Sequence, residues 1–275
     1  MRTTLLNRRS ALLGVTAAVG LSVAAVTLPG ASAAPLRPER PTIVLEHGAF
    51  ADSSSWDGVV KRLQRAGYPV VSAANPLRGP ATDAAYLRSV VDHIEGPVVL
   101  VGHSYGGTVI SQAAAGLEGK VKALVYIAAF LPDTGESSLG LTNKFPGSTL
   151  GQAIESVNYT LPDGGQGTDV YIKAEKFRGQ FAADVPADKA GLMAVGQRPI
   201  SAAALEEKST KAAWKTIPSW SLVTTEDLNI PEAAQRYMSD RAGARTTVIA
   251  ASHAVPVSHP DAVAHIVERA ARTVR

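Results

Sequence analysis

One serine in this chain, Ser104, stands in a pattern that is typical of an activated nucleophile. It is the central residue of Gly102-His103-Ser104-Tyr105-Gly106, which fits G-x-S-x-G. A serine alcohol is a weak nucleophile at neutral pH unless a histidine removes its proton and a carboxylate orients that histidine. Together, such residues transfer acyl groups through a covalent intermediate. The pattern therefore requires a base and an acid elsewhere in the chain.

Six histidines compete for the role of base, and their positions favour His253. It follows the last predicted strand, residues 245–250, and precedes the last predicted helix. Loops at the carboxyl ends of parallel strands meet at one edge of a sheet, which is also where Ser104 is expected. His47 is expected at the edge of the site, where it shapes a loop, and His103 is expected to point away from the direction of Ser104.

Two aspartates are candidates for the acid. Asp227 follows the predicted strand 219–224, which directly precedes the strand before His253, and gives the chain order serine, acid, histidine. Asp133, which follows the strand after the serine, is the alternative. Either residue could instead cap a helix from a polar loop. We predict that Asp227 is the acid.

Acyl transfer also requires backbone N–H groups that stabilise the oxyanion of the transition state. The residue after the nucleophile, Tyr105, is expected to supply one of them. Ala49, in the loop after the first predicted strand, is expected to supply the other, with Phe50 as the alternative donor. Gly48 permits a tight loop at this point.

Strands alternate with helices over most of the chain. Residues 98–101, Val-Val-Leu-Val, are typical of a strand that is buried on both faces. Further strands are predicted over 42–46, 69–73, 121–128, 219–224 and 245–250. This alternation predicts an α/β fold with a mostly parallel sheet and helices on both faces.

The alternation stops between residues 136 and 215, which is too long a stretch for an ordinary loop. We predict that residues 136–215 are a cap of irregular segments and short helices, inserted between the core segments 34–135 and 216–275. Phe50, Phe130 and Leu131 are expected to form an apolar substrate pocket.

The first 33 residues have the composition of an export signal. A charged start with Arg2, Arg8 and Arg9 precedes an apolar stretch over 11–28 and a small-residue cleavage site at 31–33. The adjacent Arg8 and Arg9 indicate a twin-arginine signal and a secreted or extracytoplasmic protein. An uncleaved membrane anchor is the alternative reading.

Charge and cysteine content narrow the possible partners. The chain has 27 basic and 24 acidic residues, but three of its arginines lie in the export signal, so the remainder is balanced. A nucleic-acid partner or stable membrane association after cleavage therefore gets no support. The absence of cysteine excludes a thiol nucleophile, a disulfide and a cysteine-ligated metal.

Over residues 41–275 the chain resembles the α/β-hydrolase superfamily. The resemblance rests on His47-Gly48-Ala49-Phe50, the serine motif, Asp227 followed by Pro231, and Ser252-His253-Ala254, in that order. The short lead before the first strand resembles the compact branch of plant methylesterases, hydroxynitrile lyases and many bacterial esterases. The resemblance implies Ser104 as nucleophile, Asp227 as acid, His253 as base, and Ala49 and Tyr105 as oxyanion donors.

One departure favours hydrolysis. The plant hydroxynitrile lyases of this branch have a lysine after the catalytic histidine and a threonine after the first-strand histidine, where this chain has Ala254 and Gly48. We therefore predict a serine hydrolase that cleaves small-molecule carboxylic esters and requires no cofactor or metal. A lyase, perhydrolase or cofactor-free oxygenase with the same residues, or a non-catalytic binding module, is the alternative.

Overall fold

The computed structural model describes residues 40–274, so the predicted export signal over 1–33 lies outside the described residues. The strands are β1 (Thr42–Glu46), β2 (Val70–Ala73), β3 (Val98–His103), β4 (Val121–Ile127), β5 (Ile154–Thr160), β6 (Gln166–Ile172), β7 (Ile200–Ser201), β8 (Ser219–Thr224) and β9 (Arg245–Ile249). Across residues 40–274, no helix combines the length and apolar character needed to cross a membrane.

The helices connect these strands on both sides of the main sheet. They are α1 (Asp57–Arg65), α2 (Pro80–His93), α3 (Gly106–Ala113), α4 (Ser138–Thr142), α5 (Leu150–Ala153), α6 (Ala174–Phe181), α7 (Ala187–Gly196), α8 (Ala202–Glu206), α9 (Glu232–Arg241), α10 (Val255–Ser258) and α11 (Pro260–Ala271). Two short 3-10 helices cover Ser53–Trp56 and Ala213–Lys215.

Six strands form a parallel sheet in the order β2-β1-β3-β4-β8-β9. A hydrophobic core lies on each face of this sheet, and successive side chains of β3 pack into the two cores alternately. Val98 and Leu100 pack on the side that contains α2 and α3, whereas Val99 and Val101 pack on the side that contains α1 and α11. Burial on both faces explains the unbroken apolar run, and the predicted α/β class is confirmed.

Residues 136–215, which we call the inserted segment, contain a feature that the sequence did not predict. Besides short helices, they form a three-stranded antiparallel sheet in the order β5-β6-β7. Most side chains of β5 are exposed, so this strand lacks the alternation of apolar and polar residues that indicates a half-buried strand. The boundaries 136 and 215 remain a prediction.

The starts of two helices follow from their local sequence. Helix α1 is preceded by a 3-10 turn, which Asp52 caps through the Ser54 N–H. The last predicted helix corresponds to α11 alone, with Pro260 as its first residue, and α10 is a separate short helix before it. Proline favours a helix start because it lacks the N–H that a first turn leaves unpaired.

Candidate active site

Ser104 lies in the tight turn between β3 and α3. Its φ of 55° places it in the left-handed region, which is strained for any residue except glycine. The turn also brings backbone segments very close together: a Cβ atom on Gly102 would lie 2.6 Å from the carbonyl carbon of Gly106. The turn holds the Ser104 hydroxyl at the carboxyl end of β3, which is the position that the motif predicts.

His253 lies in hydrogen-bond contact with this hydroxyl. Its Nε2 is 2.8 Å from Oγ of Ser104, and its Nδ1 is 2.6 Å from Oδ2 of Asp227. A carboxylate only accepts hydrogen bonds, so Nδ1–H donates to Asp227, and Nε2 is left to accept the serine proton. All three side chains are buried.

Both oxygens of Asp227 are held by further donors. Oδ1 accepts from the backbone N–H groups of Asn229 and Ile230, at 2.8 and 2.9 Å. Oδ2 accepts from the Gln235 side-chain amide at 3.0 Å and the Thr224 hydroxyl at 3.3 Å, in addition to His253. The carboxylate is therefore fixed in orientation as well as paired.

The alternative acid, Asp133, is not brought to the histidine. It forms an ion pair with Lys215, and this bond holds the pKa of Asp133 below its ordinary value. The structure thus places Asp227, and not Asp133, beside His253.

The expected oxyanion donors, Ala49 and Tyr105, line the same cavity as Ser104. Within the part of the chain that the structure describes, neither backbone N–H donates a hydrogen bond. The alternative donor, Phe50, is already engaged, because its N–H donates to the Arg198 carbonyl at 2.9 Å. Two unengaged N–H groups beside a nucleophile are the arrangement that an oxyanion requires.

The loop that contains Ala49 is shaped by His47. Asn75 N–H donates to Nε2 of His47 at 3.0 Å, which leaves Nδ1–H to donate to the Gly48 carbonyl at 2.9 Å. Burial lowers the pKa of His47 to about 4, so the ring is neutral and keeps this tautomer at neutral pH. Gly48 lets the loop approach the nucleophile, since a Cβ atom there would lie 2.6 Å from Cβ of Ser104.

Behind the expected oxyanion donors lie two buried acids, Glu46 and Asp83; Glu46 is an unexplained acid in the sequence, and its grouping with Asp83 is not evident there. The Tyr105 hydroxyl donates to Asp83 at 2.8 Å, and Asp83 also accepts from the Arg78 and Gly79 N–H groups at 3.1 to 3.2 Å. Burial, followed by the proximity of Asp83, raises the pKa of Tyr105, so it stays a donor.

Glu46, at the end of β1, is fully buried near Asp83. Neither of its carboxyl oxygens has a hydrogen-bond partner among residues 40–274. Burial and then the nearby Asp83 raise the pKa of Glu46 well above its ordinary value. An unpaired carboxyl in such a place is neutral, because the charged form loses its hydration without compensation.

A cavity of about 270 Å³ opens beside Ser104. Its walls are Ala49, Phe50, Ser104, Tyr105, Phe130, Leu139, Thr142, Asn143, Ser148, Thr149, Leu150, Gly151, Gln152, Ile154, Leu205, Asn229, Ile230 and His253. No lysine, arginine, aspartate or glutamate is among these described residues. Phe50 and Phe130 line the cavity as expected, but Leu131 does not: it is fully buried in the core, where its N–H contacts the Met238 sulfur.

The family follows from a comparison with known proteins. The model of the alpha/beta hydrolase family matches residues 43–266. The chain belongs to the alpha/beta hydrolase family. This match covers most of the chain, from the first strand of the main sheet, β1, to the last, β9.

Several members of this family resemble the chain. It is 28% identical to the alpha/beta hydrolase nvfD of Aspergillus novofumigatus, over 84% of this chain and 97% of that protein. It is also 28% identical to the pyrethroid hydrolase of Sphingobium wenxiniae, over 82% of this chain and 85% of that protein. The crystal structure of polyneuridine aldehyde esterase has the same fold, with a TM-score of 0.73 and 20% sequence identity. The match covers 84% of this chain and 99% of that protein. Plant methylesterases and a hydroxynitrile lyase also match, which confirms the predicted branch.

Proposed function

We propose that this alpha/beta hydrolase is a serine esterase that uses Ser104, His253 and Asp227 as a catalytic triad. The observation that carries the proposal is the unbroken line of hydrogen bonds from the Ser104 hydroxyl through the imidazole to Asp227, at 2.8 and 2.6 Å. Support comes from relatives named as a carbendazim-hydrolysing esterase, a pyrethroid hydrolase and a methylesterase.

The reaction proceeds in two halves. Ser104 Oγ attacks the ester carbonyl while His253 Nε2 takes its proton, and the resulting imidazolium is stabilised by Asp227. The tetrahedral intermediate collapses as His253 returns the proton to the leaving alcohol, which leaves an acyl group on Ser104. His253 then deprotonates a water molecule, which attacks the acyl-enzyme, and the proton passes to Ser104 Oγ as the acid is released.

Charge that develops on the carbonyl oxygen is stabilised by the Ala49 and Tyr105 N–H groups. Tyr105 directly precedes α3, so the positive end of this helix dipole also favours the oxyanion. This role is supported by the absence of any hydrogen bond from either N–H group within residues 40–274, so neither has to break a bond during the reaction.

The cavity favours uncharged esters. Its described walls combine apolar side chains with hydroxyl and amide groups and carry no charged side chain. A charged acyl or alcohol group would lose hydration there without gaining an ion pair. The same lack of a cation beside Ser104 disfavours cyanide-releasing lyase chemistry.

The nucleophile is tested by Ser104→Ala. We expect hydrolysis of a short-chain chromogenic ester to fall by at least about 10⁴-fold, because the covalent intermediate cannot form. In the wild type, a fluorophosphonate should label Ser104, as seen by mass spectrometry of the peptide. Equal rates for wild type and Ser104→Ala, or no adduct on Ser104, would reject the proposal.

We further propose that residues 1–33 direct export by the twin-arginine route. The support is the pairing of Arg8 with Arg9, the apolar stretch and the small-residue site. In a host with this pathway, the exported protein should begin at Ala34 by mass spectrometry, and Arg8→Lys with Arg9→Lys should retain it in the cytoplasm. An exported chain that keeps residues 1–33 would contradict cleavage.

A further inference from the structure

The loop that contains His253 is held by the inserted segment on both sides of the histidine. Before it, the Ser252 N–H donates to Oδ2 of Asp184 at 3.1 Å, and the Ser252 hydroxyl donates to the other oxygen of the same carboxylate. After it, the Ala254 N–H donates to the Phe181 carbonyl at 2.9 Å. Phe181 and Asp184 are three residues apart, so one short turn after α6 holds both neighbours of His253.

The histidine itself is held by further contacts. Nε2–H of His103 donates to the His253 carbonyl at 2.9 Å, and the two ring centroids are 4.8 Å apart. The Phe181 ring contacts the His253 ring with a centroid distance of 5.0 Å and an interplanar angle of 72°. The serine turn fixes the carbonyl of His253, while Asp184 fixes the residue before it.

Asp184 is suited to this role by its charge. Burial alone would raise its pKa, but the hydrogen bonds from Ser252, together with those from the Ser258 hydroxyl and the Asp184 backbone, outweigh burial and hold the pKa below its ordinary value. Asp184 therefore stays ionised at neutral pH and accepts with both oxygens. His259 lies nearby, with its Nδ1 3.5 Å from Oδ2 of Asp184.

We infer that Asp184 is a positioning residue for the reaction and acts through Ser252 to keep the His253 imidazole in line with Ser104. This inference rests on the triad proposed above. Small displacements of a catalytic group have large effects, since an error of about 1 Å can cost about 100-fold in rate. The inserted segment thus aligns the base as well as shaping the cavity.

The first test compares Asp184→Ala with wild type on a short-chain chromogenic ester. We expect kcat to fall about 10- to 100-fold while KM changes by less than about threefold, since the carboxylate does not line the cavity. Asp184→Asn retains the shape of the side chain and one acceptor oxygen, so its kcat should lie between that of Asp184→Ala and that of wild type. If Asp184→Ala does not fold, Asp184→Asn and Ser252→Ala carry the same test.

Asp169→Ala is the matched control. Asp169 is another carboxylate of the inserted segment with a similar side-chain exposure, 17% against 20%, but it pairs with Arg78 at 2.7 Å instead of the base loop. This variant should keep the wild-type kcat. If Asp169→Ala loses as much kcat as Asp184→Ala, then any disturbance of the inserted segment lowers kcat. That result would overturn the inference.

Two further measurements separate positioning from a general loss of stability. The downfield proton NMR resonance of Nδ1–H between His253 and Asp227 should broaden or shift in Asp184→Ala while the circular dichroism spectrum stays unchanged. Because Asp184 acts through Ser252, the double variant with Ser252→Ala should lose no more kcat than Asp184→Ala alone. An unchanged resonance with unchanged kcat, or multiplicative losses in the double variant, would reject the inference.

The same experiments distinguish the two proposals. Should Ser104→Ala hydrolyse ester as fast as wild type, the proposed esterase mechanism fails. The NMR resonance still reports whether Asp184 holds His253 beside Asp227, so the positioning role is decided independently of turnover.

Discussion

At the scale of single residues, the difference between Asp227 and Asp133 is one of surroundings. Both follow parallel strands, and either could be the acid by its position in the chain. Asp227 is buried, accepts from two backbone N–H groups and faces His253, whereas the Asp133 carboxylate is partly exposed and bound to Lys215. A buried, fully hydrogen-bonded carboxylate can hold an imidazole in one tautomer and one orientation. The Asp133 carboxylate cannot orient the imidazole, because it is bound to Lys215 and does not contact His253.

This contrast gives a prediction for the acid. Asp227→Asn keeps the shape of the side chain but offers an amide to Nδ1 of His253, which favours the wrong tautomer, so kcat should fall by about 10⁴-fold. Asp133→Asn is the matched control and should retain wild-type kcat. Both are measured by steady-state ester hydrolysis, and the reverse order of effects would reassign the acid.

At the scale of elements, three of them meet behind the oxyanion donors. β1 ends with Glu46, α2 contributes Asp83, and α3 begins directly after Tyr105. The Tyr105 hydroxyl donates to Asp83, and this bond helps to fix the residue that is the proposed oxyanion donor next to Ser104. The Glu46 carboxyl has no hydrogen-bond partner among residues 40–274, and its pKa is raised. Ionisation of the Glu46 carboxyl therefore makes the stability of the folded protein depend on pH.

The raised pKa of Glu46 predicts how stability depends on pH. The folded protein binds this proton more tightly than the unfolded chain, so the free energy of unfolding falls as pH rises above the ordinary value of 4.5. The slope is at most about 1.4 kcal/mol per pH unit until the folded pKa is reached. Glu46→Gln removes the titration and should therefore gain stability relative to wild type between pH 5 and pH 8.

Urea unfolding of both proteins at several pH values measures this difference. Asp83 also has a raised pKa but is present in both proteins, so it largely cancels in the comparison. A constant difference between Glu46→Gln and wild type over this range would show that Glu46 does not titrate as expected.

At the scale of the whole molecule, the cavity is bounded by two parts of the chain. The loops of the main sheet supply Ser104, His253 and the proposed oxyanion donors, and the inserted segment supplies walls such as Leu150 and Leu205. An apolar cavity of about 150 Å³ holds benzene. The present cavity, of about 270 Å³, has room for a group larger than a single ring.

Filling this cavity should change substrate preference. Leu205→Trp narrows it, so kcat/KM for a bulky aryl or long-chain ester should fall by at least about 10-fold while a short acetate ester is little affected. Leu192→Trp is the matched control, because Leu192 is 77% exposed and lies outside the cavity. Equal losses for large and small esters in Leu205→Trp would argue against this cavity as the substrate site.

The sequence by itself determined the elements of the main sheet and the candidate residues at its edge. Strong local signals did this: an apolar run before Gly102, a serine in a glycine-framed turn, and polar residues directly after strands. These signals depend on near neighbours in the chain, so they can be recognised without the fold.

Only the tertiary structure decided what depends on partners far apart in the chain. It distinguished Asp227 from Asp133 and Ala49 from Phe50, since the deciding bonds run to His253 and Arg198. It paired β5 with β6, although β5 has little apolar pattern of its own, and placed Asp184 against Ser252, 68 residues away. No local pattern encodes such contacts, because each is made by packing that brings distant segments together.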